Sequence, residues 1–248
     1  MRGNLLTGAG YFFRGLVLLT RPGIRHFVVL PLLANIVLFL VLGGLALDYV
    51  GAWIDSAEEA LPSWLAFLTW ILIPLVWLAG GLLTGYLSTF AVLLLTSPFH
   101  ALLAEKLEES LTGQRIPSED GLLSALWQIP RGLFREIRKI LYYLPMAALA
   151  FLITLIPVLN AFSPLIWFLL GAWMMSLQFV DYPMDNHKLP FNDVKEACAA
   201  RRLSSLGLGG VVAFISGVPL LNLVVIPAAV AGATLLWCEE LRPAHNPI

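Results

Sequence analysis

Pro157-Val158-Leu159-Asn160-Ala161-Phe162-Ser163-Pro164 lies in the middle of Ile140–Val180, a long window without a single Lys, Arg, Asp or Glu. Two full crossings of a bilayer need roughly 40 apolar residues plus a turn that reaches water. Here the two prolines break the helix, yet no charge marks a solvated loop. Each arm has about 16–17 residues, or about 25 Å at ~1.5 Å per residue, which is short of a comfortable span. The pattern predicts a re-entrant helical hairpin over 140–180, with its broken backbone buried in protein or facing a wet cavity.

A second uncharged window repeats the design. Leu203–Cys238 is centred on Pro219-Leu220-Leu221-Asn222, with Pro227 beyond it. Pro157-Val158-Leu159-Asn160 and Pro219-Leu220-Leu221-Asn222 share the form Pro-x-Leu-Asn and stand at corresponding places in the two windows. Helices interrupted at matching positions point toward a transport site, which makes Asn160 and Asn222 pathway candidates. The same two residues serve equally well as simple caps of their turns.

Outward from the hairpins, two more uncharged windows run between Arg25 and Asp48 and between Glu59 and Glu105. Roughly 18 uncharged apolar residues already suggest a membrane segment, so four windows predict an integral membrane protein. Composition agrees: 59% of the 248 residues are apolar and 12% charged, against about 25% charged in soluble domains. Phe27–Leu47 is expected as the first spanning helix, with Pro31 in its first turn. Its first long apolar run starts only at Phe27 and lacks a small-x-small site, so no cleavable leader is expected. Trp64–Leu95 is expected as a second, over-long spanning helix, with a tilt, a kink near Pro74, or projection beyond the membrane. Gly81 and Gly85 form a small-xxx-small pair suited to close helix contact.

Between membrane segments, Ser97-Pro98 predicts a helix start, running to about Leu111 and ending at Gly113. A further amphipathic helix is expected over about Glu119–Lys139, with Arg131, Arg135 and Arg138 on one stripe facing lipid headgroups. The region 98–139 is thus read as extramembrane. All 15 Lys and Arg lie outside the 48–63 segment, which carries Asp48, Asp55, Glu58 and Glu59. If both long windows are hairpins, every basic segment and both termini share one face, the cytoplasmic one by the positive-inside rule. Everything belongs to one all-α membrane domain.

Catalytic signatures are missing. His26, His100, His187 and His245 stand near no nucleophile at a recognisable spacing, and there is no P-loop, GxGxxG or HExxH. Cys198 and Cys238 fit no disulfide framework or metal pattern. No enzyme activity, cofactor, metal or nucleic-acid partner is expected. Two polar clusters remain. In Arg21-Pro22-Gly23-Ile24-Arg25-His26-Phe27, Pro22 and Gly23 break the chain just before the first membrane helix. Helix-start amides and forked guanidinium donors suit an oxyanion there, while arginines flanking a membrane helix also arise from topology alone. Asp181-Tyr182-Pro183-Met184-Asp185-Asn186-His187-Lys188-Leu189-Pro190-Phe191 follows the first hairpin. It reads either as a gate or entrance lining, through Asp181, Asp185 and His187, or as a rigid capped loop.

At these residues the sequence resembles the CysZ family of bacterial sulfate permeases, related more distantly to the etoposide-induced membrane proteins. The matching stretches are Pro22-Gly23-Ile24-Arg25 into Phe27-Val28-Val29-Leu30-Pro31-Leu32-Leu33, Ser97-Pro98-Phe99 with Leu102-Leu103-Ala104-Glu105, and Tyr142-Tyr143-Leu144-Pro145. Asp181-Tyr182-Pro183 with Asp185-Asn186-His187-Lys188, and Pro219-Leu220-Leu221-Asn222, complete them in order along the chain. The resemblance implies an inner-membrane sulfate uptake protein serving cysteine synthesis, with two long membrane helices, two half-penetrating hairpins and homo-oligomeric assembly. It implies sulfate binding at Gly23, Ile24 and Arg25. The family's second arginine is His26 here, a weaker anion ligand when neutral, and Arg21 is positioned to compensate. A sulfate-sensing regulator without transport is the alternative.

Overall fold

The structure is a computed structural model. It describes residues 3–60, 62, 67–116, 122–218 and 221–242. Every regular element among them is helical. They are α1 (Leu5–Leu18), α2 (His26–Ala60), α3 (Thr69–Thr112), α4 (Leu122–Thr154), a 3₁₀ turn Leu159–Phe162, and α5 (Ser163–Asn186). There follow α6 (Phe191–Ala200), α7 (Arg202–Ser216), α8 (Asn222–Leu236) and a π-helical turn Trp237–Leu241.

Among the described residues, four helical stretches are long and apolar enough to cross a membrane: His26–Ser56, Gly132–Thr154, Leu159–Asn186 and Val224–Leu241. A fifth is possible by length if α6 and α7, bent by 104° at their junction, are counted as one broken span. The chain falls into two compact units, residues 29–97 and residues 1–28 with 98–248.

In the first unit, the α2 and α3 segments leave most large apolar side chains exposed, as lipid-facing helices do. The close approach predicted for Gly81 and Gly85 falls instead on Gly80, where a Cβ would lie 2.9 Å from the Val50 side chain. An apolar cavity of about 520 Å³ opens beside it, between Tyr49, Val50, Trp53, Val76, Ala79, Gly80 and Leu83.

The second unit holds the large core. α1 packs on α7 and α8, and α5 packs on α7. Backbone-to-backbone contact is what lets three helices share α7. A Cβ on Gly207 would meet the Leu5 carbonyl oxygen at 2.1 Å, and one on Gly209 the Ala172 carbonyl oxygen at 1.9 Å. Small residues at such crossings replace the hydrophobic drive that is lost in lipid.

Three expectations about boundaries are corrected. No helix begins at Ser97-Pro98; α3 runs unbroken from Thr69 to Thr112 and carries Pro98 in its interior. Leu93, Leu94 and Leu95 before it and Ala101, Leu102, Leu103 and Ala104 after it are strong helix formers, and a single interior proline is tolerated in such a setting. Nor is there a break at 139/140, because α4 continues from the amphipathic segment into the first arm of the hairpin. The segment Asp181–Asn186 is helix and not loop, with Pro183 inside α5. Both arms of the first hairpin therefore exceed their expected length: 23 residues in Gly132–Thr154 and 24 in α5. The breaks themselves fall where predicted. Residues 155–158 and the 3₁₀ turn separate α4 from α5, and the second break lies between α7 and α8, with Pro219 and Leu220 outside the described residues.

Candidate functional site

The arginine turn sits between α1 and α2. Leu18 and Leu19 are buried, residues 20–23 are exposed, Ile24 is 5% exposed, and Arg25 and His26 are exposed again. Gly23 has φ +95°, a left-handed conformation that glycine adopts without strain, and a Cβ there would meet no atom within 4 Å. Glycine is needed for the dihedral and not for space. The N–H groups of Ile24 and Arg25 both donate to the Arg21 carbonyl, at 3.1 and 3.3 Å. Those two amides are therefore occupied within the turn, and the Arg21 and Arg25 side chains are exposed beside them. The His26 ring lies 4.6 Å from that of Phe27. Among the described residues, no carboxylate lies within ion-pair distance of Arg21 or Arg25.

The second cluster is built differently. Arg135 on α4 donates through Nε to Asp181 Oδ1 and Oδ2 (2.8 and 2.9 Å) and through Nη2 to Oδ1 (2.5 Å). Its Nη1 reaches the Leu189 carbonyl at 2.8 Å and Asp185 Oδ1 at 2.7 Å. Lys139, one helical turn further, meets Asp181 Oδ2 and Glu136 Oε1, both at 2.7 Å. The three central side chains, Arg135, Lys139 and Asp181, are all buried. Two cations thus face three carboxylates inside membrane-length helices, where charge must be paired. This corrects the reading of Arg135 as a headgroup contact. The opposite face of α4, with Leu133, Phe134, Ile137, Leu141 and Leu144, is the exposed apolar one.

His187 joins a third group. Its Nε2 lies 2.8 Å from Oε1 of Glu108, a fully buried carboxylate on α3. Trp237 Nε1 and Arg242 Nη1 donate to the same oxygen, at 3.3 and 3.2 Å. Positions 237 and 242 would face apart on an α-helix, but the i→i+5 pitch of the π-turn aligns them. The α5 terminus leading here is a Schellman cap: the Leu189 N–H bonds the Met184 carbonyl and the Lys188 N–H that of Asp185. Lys188 takes the left-handed position, φ 58°, usually reserved for glycine.

The structure brings Asp181 and Asp185 together and sets His187 on Glu108; it leaves both groups separate from the arginine turn in contact terms. Asn160 is exposed, and its Oδ1 accepts from Ser163 Oγ at 3.1 Å, the geometry of a turn cap. The side chain of Asn222 lies outside the described residues. Sequence reasoning missed Glu108, Lys139 and Arg242 as partners. The signals were there: Glu108 falls on the Leu103–Ala104–Leu107 stripe, and Arg135 and Lys139 share the i, i+4 face opposite the lipid-facing one.

Nearby, His100 of α3 packs its ring edge-on against Tyr182. Burial pushes its pKa down from 6.5 to about 4. The folded value is below the unfolded one, so charging is penalised. Stability is fully retained above about pH 6.5 and falls as pH drops from there toward 4. Taking the parent from pH 7 to 4.5 should cost about 2 kcal/mol more than it costs His100→Gln, measured as detergent-phase thermal melts. Equal losses in the two proteins would contradict this.

Helices of this length and apolarity, with ion pairs sealed inside them, define a multi-pass α-helical membrane protein. A sequence profile of the family described as Sulfate transporter CysZ/Etoposide-induced protein 2.4 matches residues 11–227. A Sulfate transporter CysZ of Vibrio cholerae is 42% identical over 246 residues, 98% of this chain and 97% of that one. Those of Vibrio parahaemolyticus (43% over 240 residues, 95% and 96%) and Pseudomonas fluorescens (41% over 248 residues, 99% and 98%) are similarly close. The chain belongs to the CysZ/etoposide-induced family.

Proposed function

We propose that this protein is a sulfate permease of the inner membrane, supplying sulfate for assimilation into cysteine, and that the anion docks on the Arg21–His26 turn. It is a transporter and not an enzyme. The observation that carries the site is charge accounting. Of the two cationic clusters described, Arg135 and Lys139 are already matched by Asp181, Asp185 and Glu136. Arg21 and Arg25 are exposed beside a glycine turn, with no carboxylate at hand among the described residues. A doubly charged oxyanion gains most from unneutralised forked donors. Asp181, Asp185 and His187 then serve to hold the α4–α5 pair and its neighbours in shape.

Arg25→Glu is the decisive variant. Losing one charge-assisted contact is worth about 1.5–3 kcal/mol, or about 10- to 100-fold in affinity, and reversal adds repulsion. Sulfate binding in detergent and labelled-sulfate uptake into proteoliposomes are both expected to vanish. Unchanged uptake would sink the assignment, and binding without flux in the parent would favour a sulfate-sensing regulator.

For topology we infer that both interrupted windows begin and end on the cytoplasmic side, supported by the confinement of all 15 Lys and Arg outside the 48–63 segment, and that they turn within the bilayer, supported by the absence of any charge from residue 155 to 163. The exposed turn residue Val158 then sits within the bilayer. Val158→Cys should resist a membrane-impermeant thiol reagent added from outside; full labelling from that side would mean two complete spans. A protomer with two spans and two half-spans encloses little volume, so a path for sulfate is best supplied by several subunits.

A further inference from the structure

Ile24 is the one residue from Thr20 to His26 whose side chain is buried. It is 5% exposed and belongs to the apolar core formed with Leu18, Leu19, Leu103 and Leu107, against which Phe27 and Val28 also pack. Its N–H is taken by the Arg21 carbonyl, as is that of Arg25. Ile24 therefore offers an incoming anion neither a side-chain donor nor its amide. What it does offer is a fixed point. Gly23, just before it, has the broadest backbone freedom of any residue type, and Thr20 to Gly23 are all exposed, so they contribute no packing of their own.

We propose that Ile24 is a positioning residue of the anion site: its buried side chain pins the turn to the core and so fixes where the Arg21 and Arg25 guanidinium groups stand. This rests on the reading of that turn as the sulfate site. The bonds from the Ile24 and Arg25 amides to the Arg21 carbonyl close the turn on itself, and burial of the whole Ile24 side chain is what ties that closed turn to the core. Pre-organised donors bind more tightly than the same donors on a loose loop, since the ordering cost is already met in the free protein.

The test uses the full chain, with Ile24→Ala, Ile24→Val, Ile24→Leu and Arg25→Glu compared to the parent. Isothermal titration with sodium sulfate gives affinity, and proteoliposome uptake over a range of sulfate concentrations gives half-saturation and maximal flux. Ile24→Ala should raise half-saturation about tenfold or more while maximal flux per folded protein stays within about twofold. Ile24→Leu, which restores apolar volume, should recover to within about twofold of the parent by the same measure. If Ile24→Ala does not fold, Ile24→Val should show a smaller rise in the same direction, about threefold. Unchanged half-saturation in whichever of the two folds overturns the anchor, and so does a Leu variant as weak as the Ala one. Loss of binding in Arg25→Glu with a normal Ile24→Ala would remove the anchor alone. Normal binding in Arg25→Glu would remove the site and the anchor with it.

Discussion

Asp181→Ala is expected to lower the folding stability of the protein by about 3 kcal/mol, because it strips a shared counter-ion from two buried cations. Arg135 would lose three contacts and Lys139 one. The loss stays below that of a wholly orphaned pair, since Asp185 still reaches Arg135 and Glu136 still reaches Lys139. Detergent-phase denaturation, followed by tryptophan fluorescence, measures the effect. Replacing the three central groups together by apolar residues of similar volume (Arg135→Met, Lys139→Met, Asp181→Leu) should recover most of it, because desolvating a pair costs about as much as its attraction returns. A single Asp181→Ala that unfolds at the parent's denaturant concentration would show that the network contributes nothing to folding. A triple variant no more stable than the single one would point to a need for charge at this position and not merely for balance.

Gly209→Ala should be at least as damaging, although it adds one methyl group. The new Cβ would stand 1.9 Å from the Ala172 carbonyl oxygen and 2.8 Å from the Ser176 nitrogen, both on the α5 backbone. A backbone cannot rotate away as a side chain can, so α5 and α7 must separate. α7 cannot retreat the other way either, because Gly207 holds it against the Leu5 carbonyl of α1. Overpacking of this kind costs about 3 kcal/mol. Gly210 is the built-in control: a Cβ there would meet its nearest atoms at 3.9 Å, an ordinary contact. Gly210→Ala should melt within a degree or two of the parent, or above it, since alanine favours the helix by about 1 kcal/mol. Equal melting of the two variants would mean that the α5–α7 contact is looser than these distances require.

The membrane character of the chain was legible from four uncharged windows alone, and so were both helix breaks, which fall at the paired Pro-x-Leu-Asn centres, although Pro145 and Pro227 in the same windows stay inside α4 and α8. The arginine turn was legible as well. Pro22 and Gly23 mark the break between α1, which ends at Leu18, and α2, and Gly23 takes a positive φ. Helix limits within charged segments were less readable. Asp181–Asn186 looks like a loop because charges and a proline normally end an apolar helix. It remains helical because Arg135 and Lys139, on a different helix, satisfy its carboxylates. Ser97-Pro98 carries every local mark of a helix start, and the helix on either side overrides it.

Partnership of charges was the least legible level. A stripe of arginines on an amphipathic helix has the same sequence signature whether its counter-ions are lipid phosphates or buried aspartates. By itself the sequence determined that this protein lives in a membrane, where its helices break, and which turn presents cations next to a free backbone. These follow from hydropathy and from the dihedral limits of proline and glycine, which act within a few residues. Only the tertiary structure decided that Arg135 and Lys139 are already matched, while Arg21 and Arg25 have no carboxylate beside them among the described residues. A carboxylate cancels a charge through distance in space, and no local pattern records which helix will bring it within hydrogen-bonding reach.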